Sequence, residues 1–231
     1  MTDRLRRRVR AAGAEPLITY YEPPAGVRTE LSVVTFANWV DKTCNFVVDE
    51  LLLDPGAVVE LAAARTHPGH WITACWEVAC WELGLTVSVG GALAPDLVVT
   101  GPDWAPYADA GVDVLACSMH PLGLGLSTAP PRGITDFALE VRSQPDGFAS
   151  TPQSGLTRAW VDPERELTQA DLLAVDGPPS RRLVQSDEPW PACRDGILSA
   201  LVTGGSVVYV VGGDEATRAR IADDERVGQP S

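Results

Sequence analysis

The three histidines are the side chains in this sequence with the widest choice of chemistry. His67 and His70 flank Pro68-Gly69, and two histidines this close could begin a metal site. A zinc site needs a third and a fourth ligand, and no further ligand is spaced to complete the set. His120 could act as a general base, but no serine or cysteine motif accompanies it. The sequence therefore predicts loop histidines and no metal site.

Thiols and carboxylates form the second group of chemically capable residues. Cys117 and Ser118 end a predicted strand, where nucleophiles sometimes stand, although a core thiol is the simpler interpretation. The five cysteines lack metal spacing, and we expect free, buried thiols in a cytoplasmic protein. Glu77 and Glu82 lie within an apolar run, where a charged residue must be paired or reach an edge. Arginine partners are expected for both.

Residues 57–89 are predicted to form the element that positions these side chains. An apolar run stops at the breaker around Pro68-Gly69. Apolar residues then occupy nearly every face of residues 71–83, and Gly84 precedes a second β-branched run. Short strand, helix, glycine C-cap and short strand are typical of a βαβ unit. A helix that is apolar on nearly all sides is covered by several neighbours, so this unit is predicted to be the centre of the core.

The rest of the chain alternates predicted strands and helices. Residues 16–21 and 28–34 are expected to form a hairpin, and residues 35–53 a helix. Further strands are predicted at residues 96–100, 113–117, 137–141, 182–185 and 206–211. Further helices are predicted at residues 166–174, with Thr168 as N-cap, 190–202 and 215–225, whereas residues 143–162 read as loop. This order predicts an α/β fold, a mainly parallel sheet with helices on both faces.

Length and charge limit the possible functions. The chain has 231 residues and a net charge of −13, which argues against a general nucleic-acid or anionic-membrane binder. No apolar run is long enough for a membrane span, and no signal sequence follows the first residues. We predict a basic N-terminal tail or helix at residues 1–12, one α/β domain at 13–212, and an acidic C-terminal helix or tail at 213–231.

The basic N-terminus allows two interpretations. Arginines crowd the first ten residues, at Arg4, Arg6, Arg7, Arg8 and Arg10. A basic helix face or a solvated tail is the usual behaviour of such a terminus. A docking arm for a partner is the alternative.

Residues 35–89 resemble the N-terminal part of the adenylate-forming superfamily, which includes acyl-CoA synthetases, amino-acid-activating domains and luciferases. In that family a helix beginning TYxEL is followed by the segment GVxPGDxVAL, a buried helix and a strand. Here Thr35 begins the corresponding helix, residues 53–59 resemble the turn and strand, and residues 74–87 resemble the buried helix and its exit. The resemblance implies the fold of the family's N-terminal subdomain, since these are core positions.

A more specific resemblance covers residues 150–174. The family has a phosphate loop rich in Ser, Thr and Gly that ends in Gly-x-Pro-Lys and is followed by LTHxNLLA. Residues 167–174 read LTQADLLA and are close to the second pattern. The resemblance implies nucleotide binding, with ATP or AMP and Mg²⁺ as the possible ligands, by four residues upstream: Thr151, Ser154, Gly155 and Arg158. Such a ligand is expected at the carboxyl ends of the strands.

The phosphate loop departs from the family pattern in ways that matter physically. Such loops work because backbone N–H groups point at the phosphate and glycines permit its close approach. Pro152 stands where the family has its first glycine, and it removes both an N–H donor and backbone freedom. Arg158 keeps the cation of the family's lysine but has a different shape. The loop is therefore predicted to be degenerate.

The last part of the chain, residues 182–211, resembles a family segment that contains P-x-x-H-x-x-G. The family's histidine has no counterpart, and Pro189-Trp190-Pro191 stands nearby. The family's adenine-binding segment, YGxTE motif, ribose-binding aspartate and C-terminal lid with its lysine find no match in this sequence. The chain resembles a group of short actinobacterial relatives of AMP-binding enzymes.

Three hypotheses follow from the sequence. The first is a truncated, catalytically impaired relative that serves as a binding or regulatory module. The second is part of an acyl-activating ligase that a partner chain or a homodimer completes, since a cut domain would expose apolar surface. The third is a nucleotide binder without chemistry, in which replacing Arg158 would weaken nucleotide affinity.

Overall fold

The computed structural model describes residues 2–228, which form two β-sheets with helices around them. The strands are β1 (Pro16–Glu22), β2 (Val27–Ser32), β3 (Val58–Leu61), β4 (Thr86–Ser88), β5 (Leu97–Thr100), β6 (Asp113–Ala116), β7 (Ile134–Asp136), β8 (Arg158–Asp162), β9 (Arg165–Thr168), β10 (Arg181–Val184) and β11 (Ser206–Val210). The helices are α1 (Thr2–Ala12), α2 (Val33–Asp49), α3 (Ala63–Thr66), α4 (Trp71–Leu83), α5 (Phe137–Val141), α6 (Gln169–Leu172), α7 (Pro189–Cys193), α8 (Ser199–Thr203) and α9 (Glu215–Asp224). Among these helices, none is both long enough and apolar enough to cross a membrane.

The strands divide between a larger and a smaller sheet. The seven-stranded sheet has the order β7-β6-β5-β3-β4-β8-β9, and only its last pair, β8 with β9, is antiparallel. The four-stranded sheet has the order β10-β11-β1-β2, and its antiparallel pair is the hairpin β1–β2. The predicted α/β class with mainly parallel strands is confirmed. The strands form two sheets, where the sequence predicted one.

The predicted βαβ unit is confirmed as the centre of the core. Strands β3 and β4 are parallel neighbours, and all thirteen residues of α4 between them are buried. Gly84 ends α4 in the left-handed conformation, with a φ of 72°. A Cβ on Gly84 would lie 2.4 Å from the side-chain oxygen of Gln153, so both the backbone and the space favour glycine there. The loop before β8 packs against this glycine.

Three sequence predictions are wrong in detail. Residues 137–141 form helix α5 rather than a strand, because the Asp136 side chain accepts a hydrogen bond from the Ala138 N–H (3.0 Å) and caps a helix. The predicted loop at residues 143–162 ends in strand β8. Part of the predicted helix at residues 166–174 is strand β9, although Thr168 does cap α6 as expected.

The predicted helix at residues 190–202 is present but distorted. A π-turn at Arg194–Leu198 separates α7 from α8, and Gly196 has non-helical dihedral angles within it. A Cβ on Gly196 would lie 2.1 Å from the Tyr209 hydroxyl, which accepts a hydrogen bond from the Ile197 N–H (2.9 Å). The helix therefore bends around a buried tyrosine.

The basic N-terminus is a helix that packs onto the protein. Leu5 of α1 is buried, and Arg8 donates to the carbonyl oxygens of Gly204 (2.6 Å) and Gly205 (3.1 Å), just beyond the C-terminus of α8. Arg6 is bound to Asp41 and lies 3.1 Å from Glu82. These four arginine contacts favour a structural role over a docking arm.

The acidic C-terminal segment also packs onto the protein. Ile221 of α9 is buried against Val208 and Val210 of the four-stranded sheet. The Glu225 carboxylate, just after α9, accepts from the Tyr21 hydroxyl (2.5 Å) and pairs with arginines of β2 and β10. One apolar face of the smaller sheet is covered in this way.

Candidate functional site

A cavity of about 360 Å³ lies at the carboxyl ends of the parallel strands. Arg65 follows β3, Val89 and Gly90 follow β4, and Asp162 ends β8, so three neighbouring strands contribute to its wall. The remaining lining residues are Pro163, Glu164, Arg165, Glu188, Pro189, Trp190 and Pro191. Open α/β sheets bind their ligands at this edge, which makes the cavity the candidate site.

The turn between β8 and β9, residues 162–165, forms one side of the cavity. The Asp162 Oδ1 atom accepts from the backbone N–H groups of Glu164 (2.9 Å) and Arg165 (3.0 Å). The Asp162 Oδ2 atom accepts from the Trp160 indole N–H (2.8 Å) and from Arg165 Nη1 (2.6 Å). Four N–H groups therefore converge on one carboxylate, and neither backbone donor is free for a ligand.

These contacts determine the charge state of Asp162. Partial burial alone would raise the pKa of its carboxyl group, but the hydrogen bonds from Trp160 and the turn and the charge of Arg165 lower it below its usual value. The carboxylate is therefore ionised across the physiological range. A fixed negative charge stands where β8 ends.

A second carboxylate, Glu60 of β3, fastens the neighbouring turn of the cavity wall. Glu60 is 6 % exposed. Its Oε1 atom accepts from the backbone N–H groups of Gly90 (2.9 Å) and Gly91 (3.0 Å), and its Oε2 atom accepts from the Ser88 hydroxyl (2.7 Å). Two turns of the cavity wall are thus stabilised by carboxylates of this chain, each using two backbone donors.

Another part of the cavity lining is apolar and aromatic. Trp190 stands between Pro189 and Pro191 and packs against the buried ring of Trp160 at a centroid distance of 5.2 Å. The guanidinium of Arg165 lies 5.9 Å from the centre of the Trp190 ring. Arg65 is the one lining cation without an ion-pair partner within residues 2–228.

The four residues that the resemblance assigned to nucleotide binding lie elsewhere. Thr151, Ser154, Gly155 and Arg158 precede or begin β8, which runs parallel to β4, so they stand at the amino ends of the strands. The expectation that this loop lies at the carboxyl ends is wrong. The reason is the direction of β8: the loop before β8 lies at the amino ends, and the turn of the hairpin β8–β9, residues 162–165, lies at the carboxyl ends instead. Nucleotide binding by the four residues stays a prediction.

Several groups of this loop already have partners within the described residues. The Ser154 side chain accepts from the Leu156 N–H (3.2 Å), and the Ser154 carbonyl accepts from the Thr157 N–H (3.0 Å). The Gly155 carbonyl accepts from the Ala170 N–H (3.0 Å). The Arg158 guanidinium pairs with Glu166 at 2.7 Å, and both side chains are about half exposed. A phosphate here would compete with that pair.

The buried carboxylates of α4 only partly follow the prediction of arginine partners. Glu82 has its predicted partner, since Arg6 lies 3.1 Å away. Glu77 has none in the described residues: it lies beside the Cys193 thiol, and its Oε1 atom has no hydrogen-bond partner. Burial raises the pKa of Glu77 to about 8. The five cysteines are free and buried, as predicted.

The histidines have structural environments. His70 is buried and caps α4, where its Nδ1 atom accepts from the Ile72 N–H (3.1 Å). Burial lowers the pKa of His70 to about 3, so the ring is neutral. His67 lines a second, smaller cavity of about 70 Å³ with His70. Within residues 2–228, no group of three or more His, Cys, Asp or Glu side chains is arranged to hold a metal ion.

Sequence reasoning missed Asp162, Glu60 and Arg65. For Asp162 a signal was present, since Asp-Pro between two β-branched or apolar runs is typical of a tight turn. Glu60 and Arg65 carry no such signal, because the partners of Glu60 lie about thirty residues away in the chain and Arg65 has no ion-pair partner within residues 2–228.

No protein-family model matches the chain. A protein of Mycobacterium tuberculosis (strain ATCC 25618 / H37Rv), described as a TIGR03089 family protein, is 33% identical over 230 residues, which cover 95% of this chain and 92% of that one. The chain belongs to the TIGR03089 family. Its membership rests on a match along nearly the whole of both sequences.

Solved structures show which fold this TIGR03089 family member has. An acyl-CoA synthetase from Brucella canis superposes with a TM-score of 0.76 at 13% identity, over 94% of this chain and 44% of that one. The N-terminal domain of FACL13 from Mycobacterium tuberculosis gives 0.69 at 17% identity, over 97% and 60%. The anthranilate CoA ligase AuaEII gives 0.71 at 12% identity, over 97% and 47%. The fold is that of the N-terminal part of adenylate-forming ligases, and the chain spans about half the length of these proteins.

Proposed function

We propose that this protein is a small-molecule-binding module on the fold of adenylate-forming ligases and that it does not form acyl-adenylates itself. The observation that carries the proposal is the turn at residues 162–165, in which the Glu164 and Arg165 N–H groups are used by the Asp162 carboxylate and Pro163 has no N–H group. The family's phosphate loop stands upstream of the LTHxNLLA pattern. Here the turn directly precedes β9 and the corresponding LTQADLLA segment.

Such a turn is poorly suited to a nucleotide. Phosphate binding requires free backbone N–H groups that point at the anion. At this turn the two backbone donors already serve a carboxylate, and the carboxylates of Asp162 and Glu164 would repel a triphosphate. We therefore infer that ATP has no strong site in the cavity.

The cavity is better suited to a compact carboxylic acid. Arg65 offers a cation that no carboxylate of the described chain pairs with, and Trp190 with its flanking prolines offers an apolar wall. A planar acid could place its carboxylate on Arg65 and its ring against Trp190. Anthranilate and benzoate are suitable probes, since one structural neighbour is an anthranilate CoA ligase.

The test has a nucleotide arm and an acid arm. In calorimetric titrations with ATP and Mg²⁺, and with AMP in parallel, we expect no binding tighter than about 1 mM, which corresponds to roughly 4 kcal/mol. In a pyrophosphate-release assay with ATP and benzoate or anthranilate, we expect no signal above the buffer background. Release of pyrophosphate that depends on the acid would contradict the proposal.

The acid arm needs a matched control. Benzoate or anthranilate should raise the melting temperature of the natural protein, and Arg65→Gln should remove the shift. Arg132→Gln is the control, because Arg132 is also an exposed arginine without an ion pair in residues 2–228 but stands outside the cavity. Equal shifts in both variants would show that Arg65 is not the anchor.

A second candidate function is an acyl-activating half that a partner chain or a second copy completes. The observation in its favour is a group of exposed leucines: Leu122 (68 %), Leu124 (45 %) and Leu139 (59 %), with Leu139 lying against Gly125. Against it, α9 already covers a face of the smaller sheet. Light scattering on the purified protein tests the version with a second copy, since a strict monomer would leave the homodimer without support.

A further inference from the structure

The donors around Asp162 have the composition of an anion site. They are two backbone N–H groups, one indole N–H and one guanidinium N–H, at 2.6 to 3.0 Å from the two carboxylate oxygens. Trp160 is fully buried, and the Asp162 side chain is 9 % exposed, so water competes little for the indole donor, whereas the Glu164 N–H lies at an exposed position. Arginine forks and successive backbone N–H groups are the groups that proteins use to bind phosphate.

We propose that these donors form an oxyanion site whose resident occupant is the Asp162 carboxylate, so that Asp162 is the residue that excludes phosphate from the cavity. This inference rests on the proposed function, in which the cavity holds no nucleotide phosphate. The ligand class of the emptied site is a tetrahedral or planar oxyanion, such as inorganic phosphate, sulfate or a phosphate ester.

Two features would allow an external anion to take the place of the Asp162 carboxylate in a variant that lacks it. Asp162 lines the cavity, so removing its carboxylate opens the donors to solvent ions through that space. Without Asp162, the Trp160 indole N–H and the two turn N–H groups lose their acceptor, and Arg165 keeps only Glu164, which is 77% exposed. A buried donor without an acceptor, here the Trp160 indole N–H, favours an anion that fits.

The experiment compares Asp162→Ala with Asp162→Asn. Both substitutions remove the charge, but only alanine vacates the space. Millimolar phosphate or sulfate, against sodium chloride at equal ionic strength, should raise the melting temperature of Asp162→Ala by at least ~2 °C and leave the natural protein unchanged. In titrations, Asp162→Ala should bind phosphate at least about tenfold more tightly than the natural protein. The same titration with AMP in place of phosphate shows whether the site accepts a phosphate ester as well as the free ion.

The control variant is Asp109→Ala, which removes the same charge from an exposed loop where the carboxylate makes no hydrogen bond to described residues. An equal response of Asp162→Asn or Asp109→Ala to phosphate would overturn the inference, because a general charge effect would then explain it. If Asp162→Ala is unfolded in chloride, circular dichroism in phosphate decides: recovery of the folded spectrum supports the site, and no recovery overturns it.

The outcomes separate this inference from the proposed function. If Asp162→Ala shows no response to phosphate and the natural protein does not bind ATP, the inference is overturned and the proposed function is not. Binding of ATP and acid-dependent pyrophosphate release by the natural protein overturns the proposed function, whatever the variant does.

Discussion

Two carboxylates withdrawn from water, Asp162 at the cavity and Glu77 in the middle of α4, have pKa values shifted in opposite directions. Asp162 accepts four hydrogen bonds, whereas Glu77 has an oxygen with none and a thiol for a neighbour. Burial penalises both ions, so the supply of N–H donors makes the difference. The cavity edge supplies donors for a negative charge, and the surroundings of Glu77 do not.

The largest effect is expected at Glu77. Its pKa in the folded state, about 8, lies above the unfolded value of 4.5, so its stabilising contribution is complete below 4.5 and is lost as pH rises through 8. The free energy of unfolding should fall by roughly 3–5 kcal/mol across that window because of this one residue. Glu77→Gln should remove the fall, as measured by urea unfolding at several pH values. An unchanged slope in the variant would mean that Glu77 is ionised and paired.

Next comes the removal of the Asp162 carboxylate. Asp162→Ala leaves a buried indole N–H and two turn N–H groups without their acceptor. We expect the free energy of unfolding in chloride buffer to fall by about 2–4 kcal/mol. Glu166→Ala, which removes the half-exposed partner of Arg158, is the matched carboxylate control and should cost at most about 0.5 kcal/mol. Equal losses of unfolding free energy in the two variants would mean that the Asp162 carboxylate stabilises the protein no more than the half-exposed Glu166 does.

Glu60→Gln should have an intermediate effect. The amide of glutamine keeps one oxygen to accept from Gly90 and Gly91 but cannot also accept from Ser88 through its NH₂ group. A loss of about 1–2 kcal/mol is expected in urea unfolding, with faster amide exchange at Gly90 and Gly91. Unchanged exchange at both glycines would show that the turn does not depend on the Glu60 charge.

The dependence of the Asp162 turn on acid is expected to be smaller and opposite in sign to that of Glu77. The folded pKa of Asp162 lies below the unfolded value of 3.8, so its stabilising contribution is present above 3.8 and is lost as pH falls through the folded pKa. Asp162→Asn should flatten the loss of stability in that acidic range. The control is the same titration with Asp109→Ala, which should lose stability in that acidic range as the natural protein does.

The smallest effect is expected at Arg158. Its pair with Glu166 is half exposed, so Arg158→Ala should change the free energy of unfolding by less than about 0.5 kcal/mol. If the loop at residues 151–158 binds nucleotide, the same variant will weaken ATP binding while Arg132→Gln will not. A natural protein without detectable ATP binding would remove that role.

The local predictions that succeeded were those whose signals lie close together in the chain. The β-branched runs around α4, with the breaker before it and Gly84 after it, predict the βαβ unit, because period and capping act over a few residues. Thr168 was found as an N-cap for the same reason. Phe137 was misassigned because its β-propensity is opposed by a cap at the preceding Asp136.

By itself, the sequence determined the α/β class, the buried α4, the hairpin β1–β2 and the free thiols, since composition and short-range pattern specify them. Tertiary structure alone decided which edge of the sheet each loop occupies. Loop residues matched to a phosphate-binding pattern ended at the amino edge, while an Asp-Pro turn took the carboxyl edge. The direction of β8 beside β4, two strands distant in sequence, sets that placement, and the packing around Glu77 sets whether its carboxylate finds donors.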